Sequence, residues 1–283
     1  MVHEGGTASQ RVPPSSFTEA LRSTCEDGAM PRTEPTVEQA EPSPPAVPTE
    51  AEYAYWVGTR VGWFHRAIRI FTGWYWDEGY RLRAYGQEHI PAEGAFLMVP
   101  NHSSYTDPFV QVKGQSRVVR FMAKGSLFQN PFASAVIRAG GGFPVQRGQG
   151  DGFAMELARR MLHDGQAVVM YPEGTRFRTA IPLGPPRRGA ARLVLELGVP
   201  VVPVATWGNK QRQLYGRPWW RRPKVTTIYG PLMQFDSSVS TPERVDQVRD
   251  EIWSEVERLY EIAREIGSQK RRPKRFQVPA SGE

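Results

Sequence analysis

A histidine and an aspartate stand five positions apart in residues 99–108, which read VPNHSSYTDP. An imidazole ring, whose ordinary pKa is about 6.5, can accept a proton from a hydroxyl group that attacks an acyl carbon. A carboxylate that accepts a hydrogen bond from the ring Nδ1–H would hold the imidazole in place for that transfer. The spacing therefore indicates either a general base with an orienting partner, His102 and Asp107, or a surface histidine beside an aspartate that begins a helix.

A thioester donor would need little more than such a base, because a thiol leaving group that resembles cysteine has a pKa of about 8.5. Direct transfer of an acyl group to an alcohol is then feasible with a base and good positioning. Ser103 or Ser104 could instead form an acyl-enzyme, but neither serine lies in a G-x-S-x-G motif. The residue types favour direct transfer.

The chain around this pair predicts where it lies. The apolar run 95–100 (AFLMVP) predicts a strand, and ligands of α/β sheets gather at the carboxyl ends of strands. Asp107 followed by Pro108 favours a helix start with aspartate at the N-cap. Residues five apart on a helix differ by about 140°, so His102 must lie in the turn before that helix. A capping aspartate is rigid, and the two interpretations of Asp107 are compatible.

Short apolar runs alternate with helix-like segments beyond residue 90, which predicts an α/β domain with a mixed, largely parallel sheet flanked by helices. The predicted strands are 95–100, 118–123, 143–146, 167–171, 201–207 and 224–229. The predicted helices are 108–112, 130–139, 152–162 and 188–197. A last helix follows a capping signal, Ser240 with Glu243 three residues later. Pro203, inside an apolar run, predicts an edge strand or the wall of an acyl groove.

Composition divides the chain into four segments. Residues 1–52 are rich in Pro, Ser, Thr and Glu, which predicts disorder. Residues 53–79 form an amphipathic pattern with tryptophans opposite basic residues, typical of an interfacial membrane helix or of a helix packed on its own domain. Residues 80–268 form the α/β domain with its C-terminal helix. Residues 269–283 form a basic tail, either in contact with anionic lipid or nucleic acid, or solvated and frayed.

The net charge is +7, and residues 1–52 carry nine acidic and three basic side chains, so the rest of the chain carries +13. Such a region favours an anionic partner: nucleic acid, a membrane surface or a phosphorylated substrate. Nucleic acid is disfavoured, since no zinc-finger spacing or RNA-recognition motif is present. The single cysteine, Cys25, excludes an internal disulfide and a cysteine metal cluster. No secretory signal and no apolar window of about 18 residues are evident.

Five stretches, taken in order, extend the evidence beyond the histidine and aspartate. Together they resemble the glycerolipid acyltransferase family typified by 1-acylglycerol-3-phosphate acyltransferase, over about residues 80–232. The stretches are NHSSYTD (101–107), FMAKGSLF (121–128), GGFPVQR (141–147), YPEGTR (171–176) and RRGAARLVLELGVPVVPVA (187–205). Several motifs in the same order are far more specific evidence for a family than any one of these motifs alone.

The resemblance implies roles for particular residues. His102 would be the general base and Asp107 its orienting partner, and no metal is required. The acceptor site would be built by Arg147, Glu173, Gly174, Thr175, Arg176 and Lys124. An arginine fork offers bidentate, charge-assisted hydrogen bonds to a phosphate, and a glycine lets the backbone come close. A glutamate is poorly suited to a phosphate, so Glu173 would hold Arg176 or a substrate hydroxyl.

The resemblance also implies a function. A fatty acyl group would move from a thioester, acyl-CoA or acyl carrier protein, to the hydroxyl of a lysophospholipid, with 1-acylglycerol-3-phosphate giving phosphatidic acid. The enzyme would be peripheral or monotopic at the cytoplasmic face of the cell membrane. Phe177 and Gln146 depart from the family pattern and keep other acceptors open: glycerol-3-phosphate, another lysolipid, an amino-acid lipid or a glycolipid. A second alternative is a non-enzymatic basic peripheral membrane protein. Oligomeric state and acyl chain length stay open.

Overall fold

The computed structural model describes residues 48–57, 73, 75–113, 117–145, 152–176, 183–209 and 224–280. These residues belong to one compact unit that spans residues 44–283. The predictions for residues 1–47, for most of the amphipathic segment and for Arg147 lie outside the described residues. None of the described helices has the length and apolar content needed to cross a bilayer.

In the described part of the chain, seven strands form one sheet. They are β1 (Arg83–Tyr85), β2 (Phe96–Pro100), β3 (Val119–Lys124), β4 (Gly142–Val145), β5 (Ala167–Val169), β6 (Val201–Trp207) and β7 (Thr226–Tyr229). The strand order is β1-β7-β6-β2-β5-β3-β4, and every neighbouring pair is parallel except β6 and β7. The predicted α/β class with a mixed, largely parallel sheet is confirmed. The carboxyl ends of β2 to β6 therefore lie at one edge of the sheet, called here the catalytic edge.

Among the described residues, six helices accompany the sheet. They are α1 (Glu50–Val57), α2 (Asp107–Val112), α3 (Pro131–Ala139), α4 (Gly152–His163), α5 (Gly189–Leu197) and α6 (Pro242–Ser268), with short helical turns at Tyr75–Gly79, Gln87–His89 and Gly125–Phe128. All five residues of β2 are buried, because helices and loops cover both faces of the sheet. Leu97 and Val99 face the larger core with α4, α5 and α6, whereas Phe96 and Met98 face a second core cluster. Each such side chain contributes about 1.5–3 kcal/mol through burial.

Two helices, α6 and α1, begin at residues that differ from those predicted from the sequence. The helix predicted to begin after Ser240 instead has Thr241 as its N-cap, whose side chain accepts from the Arg244 N–H at 3.2 Å. Proline at the next position, Pro242, has no N–H to satisfy and suits the first turn. At the other end of the chain α1 begins at Glu50, before the boundary placed at residue 53. A reciprocal capping box between Thr49 and Glu52 explains this earlier start.

Pro203 lies in β6, an interior strand, so the prediction of an edge strand is wrong, whereas the wall of an acyl groove stays a prediction. Its carbonyl accepts from the Gly230 N–H at 2.8 Å, so the backbone groups of Pro203 point toward β7. Because β7 has already ended at Tyr229, only one bond at the end of the ladder is missing. An interior strand can therefore carry this proline.

The two terminal segments pack on the domain where they are described. Tyr53 and Trp56 of α1 contact the larger core cluster. The Tyr85 hydroxyl donates to the carbonyl of Pro273 at 2.6 Å, and Phe276 packs edge-on against Tyr85. The described part of the basic tail is therefore docked on β1 and is not a frayed, solvated end, whereas its contact with an anionic partner stays a prediction.

Candidate active site

His102 and Asp107 meet in the turn between β2 and α2. The distance from His102 Nδ1 to Asp107 Oδ2 is 3.0 Å; the histidine side chain is 11% exposed and the aspartate is fully buried. When Nδ1 carries the proton that it donates to the carboxylate, the lone pair of the neutral ring is on Nε2. The predicted pair is thus arranged as a base with an orienting carboxylate.

The Asp107 carboxylate accepts four hydrogen bonds. Besides the His102 ring, Oδ2 accepts from the backbone N–H groups of Ser103 and Ser104 at 2.6 and 2.7 Å, and Oδ1 accepts from Asn209 Nδ2 at 2.6 Å. The prediction that Asp107 caps α2 is wrong, because the N-cap is Thr106 and the carboxylate binds the turn that precedes the helix. The turn wraps around the carboxylate and fixes its position.

Asn209 is a site residue that the sequence analysis missed. Its Oδ1 accepts from the Thr106 hydroxyl at 2.7 Å, which settles the orientation of the amide and directs its NH₂ group at Asp107. Asn209 follows the apolar strand β6 as His102 follows β2. The rule that polar residues after parallel strands meet at one edge would have indicated it.

Glu173 connects the His102 backbone to the stretch YPEGTR at residues 171–176. Its Oε1 accepts from the His102 backbone N–H at 2.7 Å and its Oε2 from the Gly184 N–H at 3.1 Å, and the residue is buried. The sequence predicts that Glu173 holds Arg176 or a substrate hydroxyl. In the structure Glu173 has a further role, because it fixes the backbone of His102.

Gly174 adopts a left-handed backbone conformation with φ of +64°, which an L side chain rarely adopts. A Cβ there would lie 2.9 Å from Cζ and Nε of Arg187. The guanidinium of Arg187, from the stretch 187–205, therefore lies close to this glycine, whereas close approach of the backbone to an acceptor phosphate stays a prediction. Arg187 is exposed beside the turn and was not singled out from the sequence.

The remaining predicted residues lie at different distances from the dyad. The guanidinium carbon of Arg176 lies 3.3 Å from the centre of the Tyr105 ring, so it contacts the same turn that carries His102. Thr175 is exposed next to it. Lys124 is exposed at the end of β3, at the catalytic edge, but β5 separates β3 from β2. Arg147 lies outside the described residues.

Tyr171 packs against one face of the His102 imidazole. Its ring stacks on that of His102 with centroids 4.0 Å apart, and its hydroxyl donates to Gln111 Oε1 at 2.8 Å. Gln111 in turn donates to the carbonyl of Asn101 at 3.0 Å. Burial, followed by the nearby Asp107 charge, raises the pKa of Tyr171 well above its usual range, so the phenol stays neutral. The imidazole is thus held by a hydrogen bond at its edge and a ring at its face.

The arrangement can accept a proton at a fixed imidazole beside two arginines, of which Arg176 is half-buried and Arg187 is exposed. Within the described ranges, no three His, Cys, Asp or Glu side chains are grouped so that they could hold a metal ion. The chemistry that these residues offer is general base catalysis on an anionic substrate.

Comparisons with known proteins show what this chain is similar to. The family model described as Acyltransferase matches residues 81–207. The 1-acyl-sn-glycerol-3-phosphate acyltransferase of Bacillus subtilis (strain 168) is 29% identical over 55% of this chain and 75% of its own length. The human 1-acyl-sn-glycerol-3-phosphate acyltransferase beta is 30% identical over 51% of this chain and 50% of its own length. A chloroplastic relative from Brassica napus is 30% identical over 46% of this chain, and the match covers only 38% of that relative.

The fold is also found in a solved structure. The 1-acyl-sn-glycerophosphate (LPA) acyltransferase PlsC from Thermotoga maritima superposes with a TM-score of 0.51 at 22% sequence identity. The superposition covers 73% of this chain and 93% of that one. The match extends well beyond the histidine turn and includes the sheet that positions it.

Proposed function

Because the chain belongs to the glycerolipid acyltransferase family, we propose that it transfers a fatty acyl group from a thioester donor to the hydroxyl of a lysophospholipid. The favoured acceptor is 1-acylglycerol-3-phosphate, which the transfer converts to phosphatidic acid. The observation that carries the proposal is the buried His102–Asp107 pair at the carboxyl end of β2, bound through Glu173 to the E-G-T-R turn. The names of the relatives support the choice of acceptor.

In the proposed reaction His102 Nε2 accepts the proton of the acceptor hydroxyl while its oxygen attacks the thioester carbonyl carbon. The tetrahedral intermediate collapses, the carbon–sulfur bond breaks, and the leaving thiolate takes the proton from the imidazolium. The ester and a free thiol are the products, and His102 is neutral again. Asp107 stabilises the imidazolium between the two proton transfers and keeps the ring from rotating.

Direct transfer is favoured over an acyl-enzyme by the environment of the two serines. Ser103 and Ser104 are both buried, and their backbone N–H groups bind Asp107. The Ser104 hydroxyl lies 3.0 Å from the Thr106 hydroxyl. A serine nucleophile would need to reach a bulky thioester, which suits an exposed side chain.

The acceptor phosphate is proposed to bind at the turn that carries Gly174. Arg176 and Arg187 bring two guanidinium groups to this turn, and each offers the fork that matches phosphate oxygens. Thr175 is exposed in the same turn, and Arg147 of the stretch GGFPVQR (141–147) is proposed as a further contact. Lys124, two strands away, is proposed for the outer part of the site. The donor is acyl-CoA or acyl carrier protein, with no other cofactor, and the enzyme acts at the cytoplasmic face of the cell membrane.

The test is release of free thiol by the purified full chain. Acyl-CoA and acyl carrier protein thioesters are each supplied with 1-acylglycerol-3-phosphate, glycerol-3-phosphate, other lysolipids, an amino-acid lipid or a glycolipid precursor. The proposal expects the fastest release, and phosphatidic acid as product, with 1-acylglycerol-3-phosphate. Faster release with another acceptor would replace the acceptor and keep the chemistry, whereas no release with any acceptor would contradict both.

A further inference from the structure

An exposed apolar surface lies at the start of α3. Its members are Leu127, Pro131, Phe132 and Ala135, called here the docking face, and all four are exposed. Leu127 is 49% and Phe132 80% exposed, and neither the turn Gly125–Phe128 nor α3 contains a buried residue. Pro131, Phe132 and Ala135 lie at positions i, i+1 and i+4, so they share one side of the helix. α3 therefore presents an apolar side to the surroundings.

Charge identifies the kind of partner. Residues 108–150 contain six lysines and arginines and no aspartate or glutamate, so the docking face lies inside a long basic stretch. Lys124 is exposed directly before the turn that carries Leu127. Apolar side chains beside basic ones match the boundary of an anionic bilayer, where rings and methyl groups enter the acyl region and ammonium groups contact phosphates.

The docking face lies at the catalytic edge of the sheet. Strand β3 runs parallel to β5, and β5 runs parallel to β2, so Lys124 and His102 follow the same ends of neighbouring strands. Two strand spacings, about 10 Å, separate β3 from β2. Tyr105 and Phe109, which follow His102, are also exposed. A bilayer in contact with the docking face would lie beside the site that a lipid hydroxyl must reach.

Helix α1 connects this face to the predicted interfacial segment. Trp56 packs edge-on against Phe128 with ring centres 5.2 Å apart. The guanidinium of Arg138, in α3, lies 3.6 Å from the centre of the Tyr55 ring and donates to the Tyr55 carbonyl at 3.1 Å. The aromatic start of residues 53–79 is therefore attached to the turn and helix that form the docking face.

We infer that the docking face binds the surface of an anionic bilayer, with Phe132 and Leu127 entering the headgroup and acyl boundary and Lys124 contacting lipid phosphates. This inference rests on the proposed function in one respect, namely that the acceptor is a lipid held in a membrane. It assigns membrane contact to α3 and its preceding turn, separately from the amphipathic segment 53–79.

The test is sedimentation of the full chain with vesicles of phosphatidylcholine and phosphatidylglycerol, and with vesicles of phosphatidylcholine alone. The double variant Leu127→Ser/Phe132→Ser is expected to bind the anionic vesicles about tenfold or more weakly, because two apolar contacts are lost. Lys124→Gln is expected to weaken binding to the anionic vesicles by about fivefold and to leave binding to neutral ones unchanged.

Leu232→Ser is the matched control. Leu232 is 46% exposed, close to Leu127, and it precedes Met233, whose backbone pairs with Val201 at the start of β6. It therefore lies at the opposite edge of the sheet, and its loss should not change vesicle binding. All the substituted side chains are exposed, so the midpoints of thermal unfolding are expected to be the same for every variant.

The inference is overturned if the double variant binds anionic vesicles as tightly as Leu232→Ser does. It is also overturned if the wild-type chain does not prefer anionic vesicles, or if it binds an acidic polypeptide instead of vesicles. Thiol release separates this inference from the proposed function: the double variant should act normally on a short-chain, dissolved acceptor and slowly on an acceptor in vesicles. Failure of the wild-type chain to release thiol would contradict the proposed function and leave the vesicle result in force.

Discussion

Two histidine–aspartate pairs occur in the described structure, and they differ in burial: the pair proposed as the catalytic site is buried, whereas the other is exposed. His163 Nδ1 lies 3.5 Å from Asp164 Oδ1 at the end of α4, with the side chains 81% and 46% exposed. His102 and Asp107 are 3.0 Å apart and almost fully buried. An exposed pair exchanges its partner for water at little cost, whereas a buried pair keeps one geometry. Residue type and proximity alone therefore do not define the base.

The two carboxylates differ in what fixes them. Asp107 is held by two backbone N–H groups, the His102 ring and the amide of Asn209. Asp164 accepts from the hydroxyl of Tyr53. A carboxylate that accepts four hydrogen bonds can keep an imidazole oriented throughout a reaction. The following predictions test this difference between Asp107 and Asp164.

The largest effect is expected for the carboxylates themselves. Asp107→Asn should lower kcat/KM by about 10²–10⁴-fold, because the amide cannot both accept from the two serine N–H groups and fix the tautomer of His102. Asp164→Asn should leave kcat/KM unchanged. The measurement is steady-state thiol release, and equal effects of the two substitutions would remove the distinction between the pairs.

Asn209→Ala is expected to lower kcat about tenfold, or ~1.4 kcal/mol in activation free energy, with little change in KM. The asparagine is a positioning residue that acts through Asp107. Asn130→Ala is the matched control, since it removes the side-chain cap of α3 and costs about 1 kcal/mol of stability away from the site. If the two variants lose the same stability and the same kcat, Asn209 has only a structural role.

Gly174→Ala is expected to raise the KM for a phosphate acceptor several-fold and to cost about 1–2 kcal/mol of stability through its positive φ. The added Cβ must displace the guanidinium of Arg187. Gly94→Ala has a similar φ of +77° with nothing within 4 Å of its Cβ, so it should share the stability loss and keep the KM. An unchanged KM in Gly174→Ala would remove Arg187 from the acceptor site.

The smallest effect is expected for Tyr171→Phe. The ring that stacks on His102 remains, so kcat should change by less than about threefold. Loss of the hydroxyl leaves Gln111 Oε1 without its donor and should cost about 1–3 kcal/mol in the free energy of unfolding. Chemical denaturation measures that loss, and a large fall in kcat would indicate that the phenol itself takes part in proton transfer.

The sequence predicted the strands with continuous apolar runs, such as β2 and β6, because buried parallel strands have no polar face. Strand β1 was missed, since it has three residues and only Tyr85 is buried. The His102–Asp107 contact was predictable because its partners are five residues apart. Asn209 and Glu173 reach the same turn from 102 and 71 residues away, and their contacts depend on the order of β6, β2 and β5, which a single sequence does not encode locally.

Two errors have a common physical origin. The aspartate before Pro108 was assigned to the helix that follows it, and Pro203 was assigned to an edge, because both predictions considered local preferences alone. In the structure Asp107 binds the preceding turn, and Pro203 lies where the neighbouring strand has ended. Tertiary contacts decided both positions.

The most direct test of His102 as the general base compares His102→Ala with His163→Ala in thiol release from an acyl thioester in the presence of 1-acylglycerol-3-phosphate. His102→Ala is expected to lose about 10²–10⁴-fold in kcat/KM, whereas His163→Ala is expected to keep the wild-type value. Full activity in His102→Ala would contradict the claim that the buried pair is the general base.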